Sequence, residues 1–154
     1  MMRRLMVLAA LGALACGGGQ RPSTAAPQDM QETVTRFFAA VKANDLTRMG
    51  QLWGTEKGPA SSSMDAVELS RRLTVIQKYL THTGYRVIQG PMAVPGNERM
   101  RTFRIELQRT TCARVLPIDL VQTRDGGWIV YDVHLEAAGN PAMVCPPATG
   151  TRPQ

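Results

Sequence analysis

The apolar residues of this chain change their spacing at Gly84, and that change decides which elements come first. Before it, Met30, Val34, Phe37, Phe38 and Val41 recur at i, i+4, i+7, i+8 and i+11, which is one stripe of a helix. Asp29 and Glu32 suit its positive amino end. Asn44-Asp45 breaks this helix, and Asp45 is placed to cap a second, short one carrying Leu46, Met49, Leu52 and Trp53, ended by Gly54. Residues 55–63 read as loop. Ser62 or Ser63 is then expected to cap a third helix with Asp65 in its first turn. Its apolar positions are Val67, Leu69, Leu73, Ile76, Tyr79 and Leu80, with Gly84 as terminator.

Beyond Gly84 the repeat is two. Tyr85 to Val94 forms a first strand, closed by Pro95-Gly96-Asn97. Phe103, Ile105 and Leu107 alternate with Thr102, Arg104, Glu106 and Gln108 in a second, and Leu116, Ile118 and Leu120 with Asp119 and Gln122 in a third. Asp125-Gly126-Gly127 signals a tight hairpin, because glycine has no steric penalty at positive φ. A fourth strand, Trp128 to Ala137, carries Ile129, Tyr131, Val133 and Leu135 on one face, expected to meet the helices. Its other face carries Trp128, Val130, Asp132, His134 and Glu136. Consecutive strands with short turns give an antiparallel meander with one buried face. The expected class is α+β, with three N-terminal helices packed on a curved four-stranded antiparallel sheet.

The amino end carries a different message. Arg3 and Arg4 precede an uncharged run, Leu5 to Ala15, that stops at Cys16, and this is the pattern of a bacterial export signal. Its 11 residues fall short of the ~20 a membrane-crossing helix needs. Small residues, Ala13 and Ala15, followed at once by Cys16 make the segment resemble a lipoprotein signal. That resemblance implies diacylglycerol on the Cys16 thiol, palmitate as a further acyl group, and Cys16 as the first mature residue. Cleavage of the same bond by an ordinary signal peptidase, leaving Cys16 a free thiol on a secreted protein, is the alternative. Gly17 stands where aspartate would favour inner-membrane retention, so the periplasmic face of the outer membrane is the expected location. The chain therefore divides into a signal peptide (1–15), a polar tether without apolar periodicity (16–27), an α+β domain (28–138) and a proline-rich tail (139–154). The 139 residues after Ala15 suit one domain.

The net charge of +6 includes Arg3 and Arg4, and the remaining excess is dispersed. Its closest grouping, Arg99, Arg101, Arg104, Arg109 and Arg114, is interleaved with Glu98 and Glu106 and lacks the aromatic spacing of a nucleic-acid surface, so no nucleic-acid partner is expected. With Cys16 set aside for lipid, Cys112 and Cys145 form an even pair in an oxidising compartment, where a disulfide is the default. The loop of about 34 residues would make such a bridge worth roughly 3–4 kcal/mol on the chain-entropy model. Its role would be to pin the tail to the body.

Phe37-Phe38-Ala39-Ala40, then Asn44-Asp45 and Trp53, together with the closing Gly127-Trp128-Ile129-Val130-Tyr131-Asp132-Val133, resemble the nuclear transport factor 2-like superfamily over roughly residues 28–138. That resemblance implies a sheet curled around a pocket between helices and strands. Phe37, Trp53, Tyr79, Phe103 and Tyr131 would line it. Enzymes of the superfamily, isomerases and dehydratases among them, need a carboxylate or His-Asp pair facing such a pocket.

Asp132, His134 and Glu136 are the dense set of such groups, with Asp119, Arg104 and Glu106 of matching parity on neighbouring strands. On one reading this is an acid–base cluster or a metal triad. On the other it is a convex, wet face whose ions pair weakly. Asp132 and His134 are thus the catalytic candidates, no residue is assigned to a metal, and no cofactor is expected. His82, at the end of the third helix, suits an imidazolium at the negative dipole end. Tyr79, Tyr85 and Tyr131 offer hydroxyls, and Met49, Met64, Met92 and Met100 read as core filling.

The expectation is a lipid-anchored, extracytoplasmic binding or interaction domain without catalysis, partnered by the membrane, a small apolar ligand, an envelope protein or a second copy through the sheet. A small isomerase or dehydratase using the His-carboxylate pair is one alternative; a structural subunit of an envelope complex, or a lipid carrier, is the other. The direction in which Asp132 and His134 face discriminates between them.

Overall fold

The computed structural model describes residues 25–143. The first helix, α1 (Met30–Ala43), begins where the Asp29 carboxylate accepts from the Glu32 N–H at 2.7 Å, and ends at Asn44, which adopts φ 54°. Asp45 accepts from the Arg48 N–H at 2.8 Å and starts α2 (Leu46–Leu52). Both helices thus take the cap chemistry their boundaries call for.

The next segment departs from expectation. A two-residue pairing, β1 (Gly54–Thr55) with β2 (Gly58–Pro59), and a 3-10 turn over Ala60–Ser62 occupy the stretch read as loop. The third helix, α3 (Ala66–Tyr79), is capped by Asp65, whose Oδ1 accepts from the N–H groups of Val67 and Glu68, and not by Ser62 or Ser63. The serine hydroxyls are one turn too early; the first orphan amides lie within reach of Asp65. Leu80 closes α3, and Gly84 opens the next strand instead of ending the helix.

The sheet runs β3 (Gly84–Val94), β4 (Asn97–Gln108), β5 (Ala113–Gln122), β6 (Trp128–Val133), in that spatial order and antiparallel throughout. Phe103, Ile105 and Leu107 of β4 face the core beside Leu116, Ile118 and Leu120 of β5, all six at 0% exposure. They join Val34, Phe37, Phe38 and Val41 of α1, Met49 and Leu52 of α2, and Leu73 and Ile76 of α3 in a single cluster. Each such side chain stabilises the fold by about 1.5–3 kcal/mol through burial. The fold is therefore α+β with a four-stranded antiparallel sheet.

Two corrections concern the last strand. It stops at Val133, and Leu135–Ala138 coil into a short helix, α4, so one helix follows the sheet. Within β6, Val130 pairs with Leu120 and Asp132 with Asp119, leaving Tyr131 as an extra, bulged residue. A bulge inverts the alternation on either side of it. Trp128 and Val130 consequently face the core with Val133, whereas Tyr131 is 44% exposed, the reverse of the expected faces for these three of the four.

The amino end of the described chain lies against β6. Pro27 is buried and its carbonyl accepts from the Trp128 N–H at 2.7 Å, while a Cβ on Gly127 would stand 2.7 Å from Ala26. The Thr33 hydroxyl, fully buried, lies within bonding distance of both the Trp128 and Asp29 carbonyls and ties α1 to the same strand. Among the described residues no helix is long and apolar enough to cross a membrane.

Candidate functional site

Three adjacent strands assemble the site on the sheet face turned away from the core. Register sets Thr102 of β4 opposite Asp119 of β5, and Asp119 opposite Asp132 of β6. The bulge at Tyr131 is what makes the last pairing possible, because without it Asp132 would fall opposite Ile118 and point into the core. His134 lies just past β6, where its N–H donates to the Pro117 carbonyl at 3.3 Å and the chain turns into α4.

That turn brings the imidazole onto the carboxylates. His134 Nε2 lies 3.0 Å from Asp119 Oδ2, and Nδ1 lies 3.3 Å from Glu136 Oε1. Thr102 Oγ1 donates to Asp119 Oδ1 at 2.5 Å, and the Val133 N–H donates to Asp132 Oδ1 at 2.8 Å. One donor atom from each of Asp119, Asp132 and His134 falls within 4.8 Å of the others. The hydrogen bond to Asp119 holds the His134 pKa above the ordinary histidine value. The charges of Asp119 and Asp132 and the bond to Glu136 add to this, against an opposing contribution from burial.

The cluster is open to water. The His134 side chain is 34% exposed, Glu136 76%, and Asp132 is also exposed, while Asp119 is the most sheltered at 16%. A cavity of about 310 Å³ touches Asp132; its wall combines Trp53, Met64 and Tyr131 with Arg72, it is open to solvent, and neither His134 nor Asp119 lines it. A larger one, about 480 Å³, is lined by Gln51, Ser61, Ser62, Thr123 and Asp125 among others and contains no histidine. The remaining two charged residues of matching parity point their bonds elsewhere: Glu106 pairs with Arg86 at 3.0 Å, and Arg104 donates to Gln89 at 3.3 Å.

The expected pocket residues separate into two groups. Phe37 and Phe103 are fully buried within the packed core, and Tyr79 is a half-buried residue of α3 whose carbonyl accepts from Arg109 at 2.5 Å. Trp53 and Tyr131 do come together, on the wall of the 310 Å³ cavity.

His82 differs from the expected helix-end cation. Its ring stands edge-on to Phe38 and to Tyr85, at 5.6 and 5.8 Å, and Phe38 stacks on Tyr85 at 4.4 Å. Burial lowers its pKa, the nearby Lys42 adds to that, and the hydrogen bond to the Leu80 carbonyl works the other way. Its Nδ1–H donates to the Leu80 carbonyl at 2.8 Å.

Cys112, in the turn between β4 and β5, is disulfide-bonded. Cys16 and Cys145 both lie outside the described residues, as do the signal segment and the end of the tail. Thr102, which orients Asp119, was missed by sequence reasoning, although its parity on the neighbouring strand was the available signal. Compared with protein-family models, curated proteins and solved structures, the chain matches none.

Proposed function

We propose that this chain is an interaction domain of the bacterial envelope, held by lipid on Cys16 and working by binding rather than by catalysis. One observation carries the reading: the acid–base cluster around His134 opens to water on the outer sheet face, while the opposite face is packed solid with Phe37, Phe38 and Phe103. Acid–base enzymes draw their power from charges fixed in a water-excluded site, which this cluster lacks. The basic head, short apolar run and Cys16 support export and anchoring. The succession of early helices and a closing antiparallel meander supports a nuclear transport factor 2-like domain. A membrane surface and an envelope protein are the natural partners of a body held in this way.

The test is fractionation of cells producing the full chain, with mass analysis of the amino-terminal peptide. Wild type is expected in the membrane fraction with an acylated Cys16. Cys16→Ala should lose the acyl mass and leave the membrane. An uncleaved, unmodified chain in the cytosol would overturn the proposal.

A further inference from the structure

We propose that Asp119, Asp132 and His134 form a binding site for a first-row divalent transition cation, zinc being the reference ion. This goes beyond the interaction-domain reading and stands whether or not Cys16 is acylated.

The spacing fits. Zinc holds nitrogen and oxygen ligands at about 2.0–2.2 Å in a tetrahedron, which sets neighbouring donor atoms roughly 3.3 Å apart. His134 Nε2 and Asp119 Oδ2 stand 3.0 Å apart, and the Asp132 donor lies within 4.8 Å of both. A modest side-chain rotation of exposed Asp132 closes the remaining gap.

Orientation fits as well. Metal-bound histidines donate their second N–H to a carboxylate or carbonyl, and bound carboxylates are themselves held by hydrogen bonds. Here Nδ1–H faces Glu136, and Nε2 and Asp119 Oδ2, bonded to each other without an ion, are the pair between which a cation would take the place of the shared proton. Thr102 holds Asp119 Oδ1 and so turns Oδ2 toward His134; the Val133 N–H holds Asp132 Oδ1 and leaves the other oxygen. Every donor atom is thus presented by a group that is not itself a ligand.

Charge provides an independent argument. Asp119 and Asp132 are direct cross-strand partners, an arrangement in which like charges repel. Among the described residues no lysine or arginine forms an ion pair with either; His134 is the only basic partner, bound to Asp119. A divalent cation neutralises both carboxylates while leaving the imidazole neutral. An imidazole among the ligands selects zinc, nickel, cobalt or copper over magnesium and calcium, which prefer oxygen alone.

The experiment is calorimetric titration of zinc chloride into the purified full chain, stripped of metal and with its disulfide intact. One ion per chain is expected, with a dissociation constant on the order of micromolar. His134→Ala and Asp132→Asn should each weaken binding about tenfold or more, and Glu136→Ala about tenfold, the scale of second-sphere losses. His82→Gln removes the only other histidine and should change nothing. Asp132→Asn covers the case in which His134→Ala misfolds, since Asp132 is exposed. X-ray absorption of the zinc-loaded wild type should show one imidazole with oxygen ligands. No zinc uptake at ~100 μM, equal affinity in Asp132→Asn, or sulfur in the coordination sphere would each overturn the site.

Discussion

Acidification should weaken this fold through His82, and the sign follows from its surroundings. Burial against Phe38 and Tyr85, with Lys42 nearby, holds the folded-state pKa below the 6.5 of an unfolded histidine. Below pH 6.5 the unfolded chain takes up a proton that the folded chain refuses. Stability contributed by this group is therefore complete above pH 6.5 and is lost as pH falls from there through the folded value. For one proton the slope cannot exceed about 1.4 kcal/mol per pH unit. The imidazole is only half-buried, and the Leu80 carbonyl bond favours the charged form, so the measured slope should lie well under that ceiling. Each 1 kcal/mol moves a urea midpoint by roughly 0.3–1 M. The assay is urea denaturation of wild type and His82→Gln between pH 5 and 8, read as the difference between the two curves, in which other titrating groups cancel. The difference should narrow on acidification, and the His82 ring protons should titrate below 6.5 by NMR. In metal-free protein, His134 should titrate above it. A flat difference, or a wild type that gains on His82→Gln as pH falls, would refute the burial argument.

Phe103→Ala, at a fully buried position, should cost about 3–5 kcal/mol in chemical denaturation, while Tyr131→Ala at the exposed bulge should stay within about 0.5 kcal/mol. Comparable losses at both positions would mean that Tyr131 belongs to the core after all. Asp65→Ala should lower stability by about 1 kcal/mol through loss of the α3 cap, whereas Ser62→Ala and Ser63→Ala should be close to neutral. The opposite ranking would move the start of that helix back to the serines.

The parts of the fold that sequence discloses are those where a regular repeat runs uninterrupted. The stripe from Met30 to Val41, the break at Asn44-Asp45 and the alternation of β4 and β5 all translate directly into buried faces. The failures have local causes. An inserted residue leaves no mark on the composition of a strand, so the bulge at Tyr131 turned an apparently clean alternation the wrong way at Trp128, Val130 and Tyr131. Residues 135–138 continue an alternating pattern, yet the ladder ends at the bond from the His134 N–H to Pro117, which has no N–H to return; the His134 carbonyl accepts from Ala137 instead, and Gly139, at φ 70°, ends the helix that follows. Asp132, Asp119 and His134 were recognisable as a group by residue type and parity. Their meeting depends on that same bulge and turn, which only coordinates reveal. The aromatic surround of His82 went unread because Phe38, His82 and Tyr85 come from separate elements.

Pro27 delivers the chain to the outermost strand, β6, so the amino end of the described residues lies along one edge of the sheet. A pull on the amino end is transmitted first to the Trp128 amide, along an edge already braced by Thr33, instead of peeling α1 from its seat. Across the sheet, three interstrand steps of about 4.8 Å place β3 some 14 Å away, so Gly84–Val94 is the sheet edge farthest from the strand on which Pro27 rests.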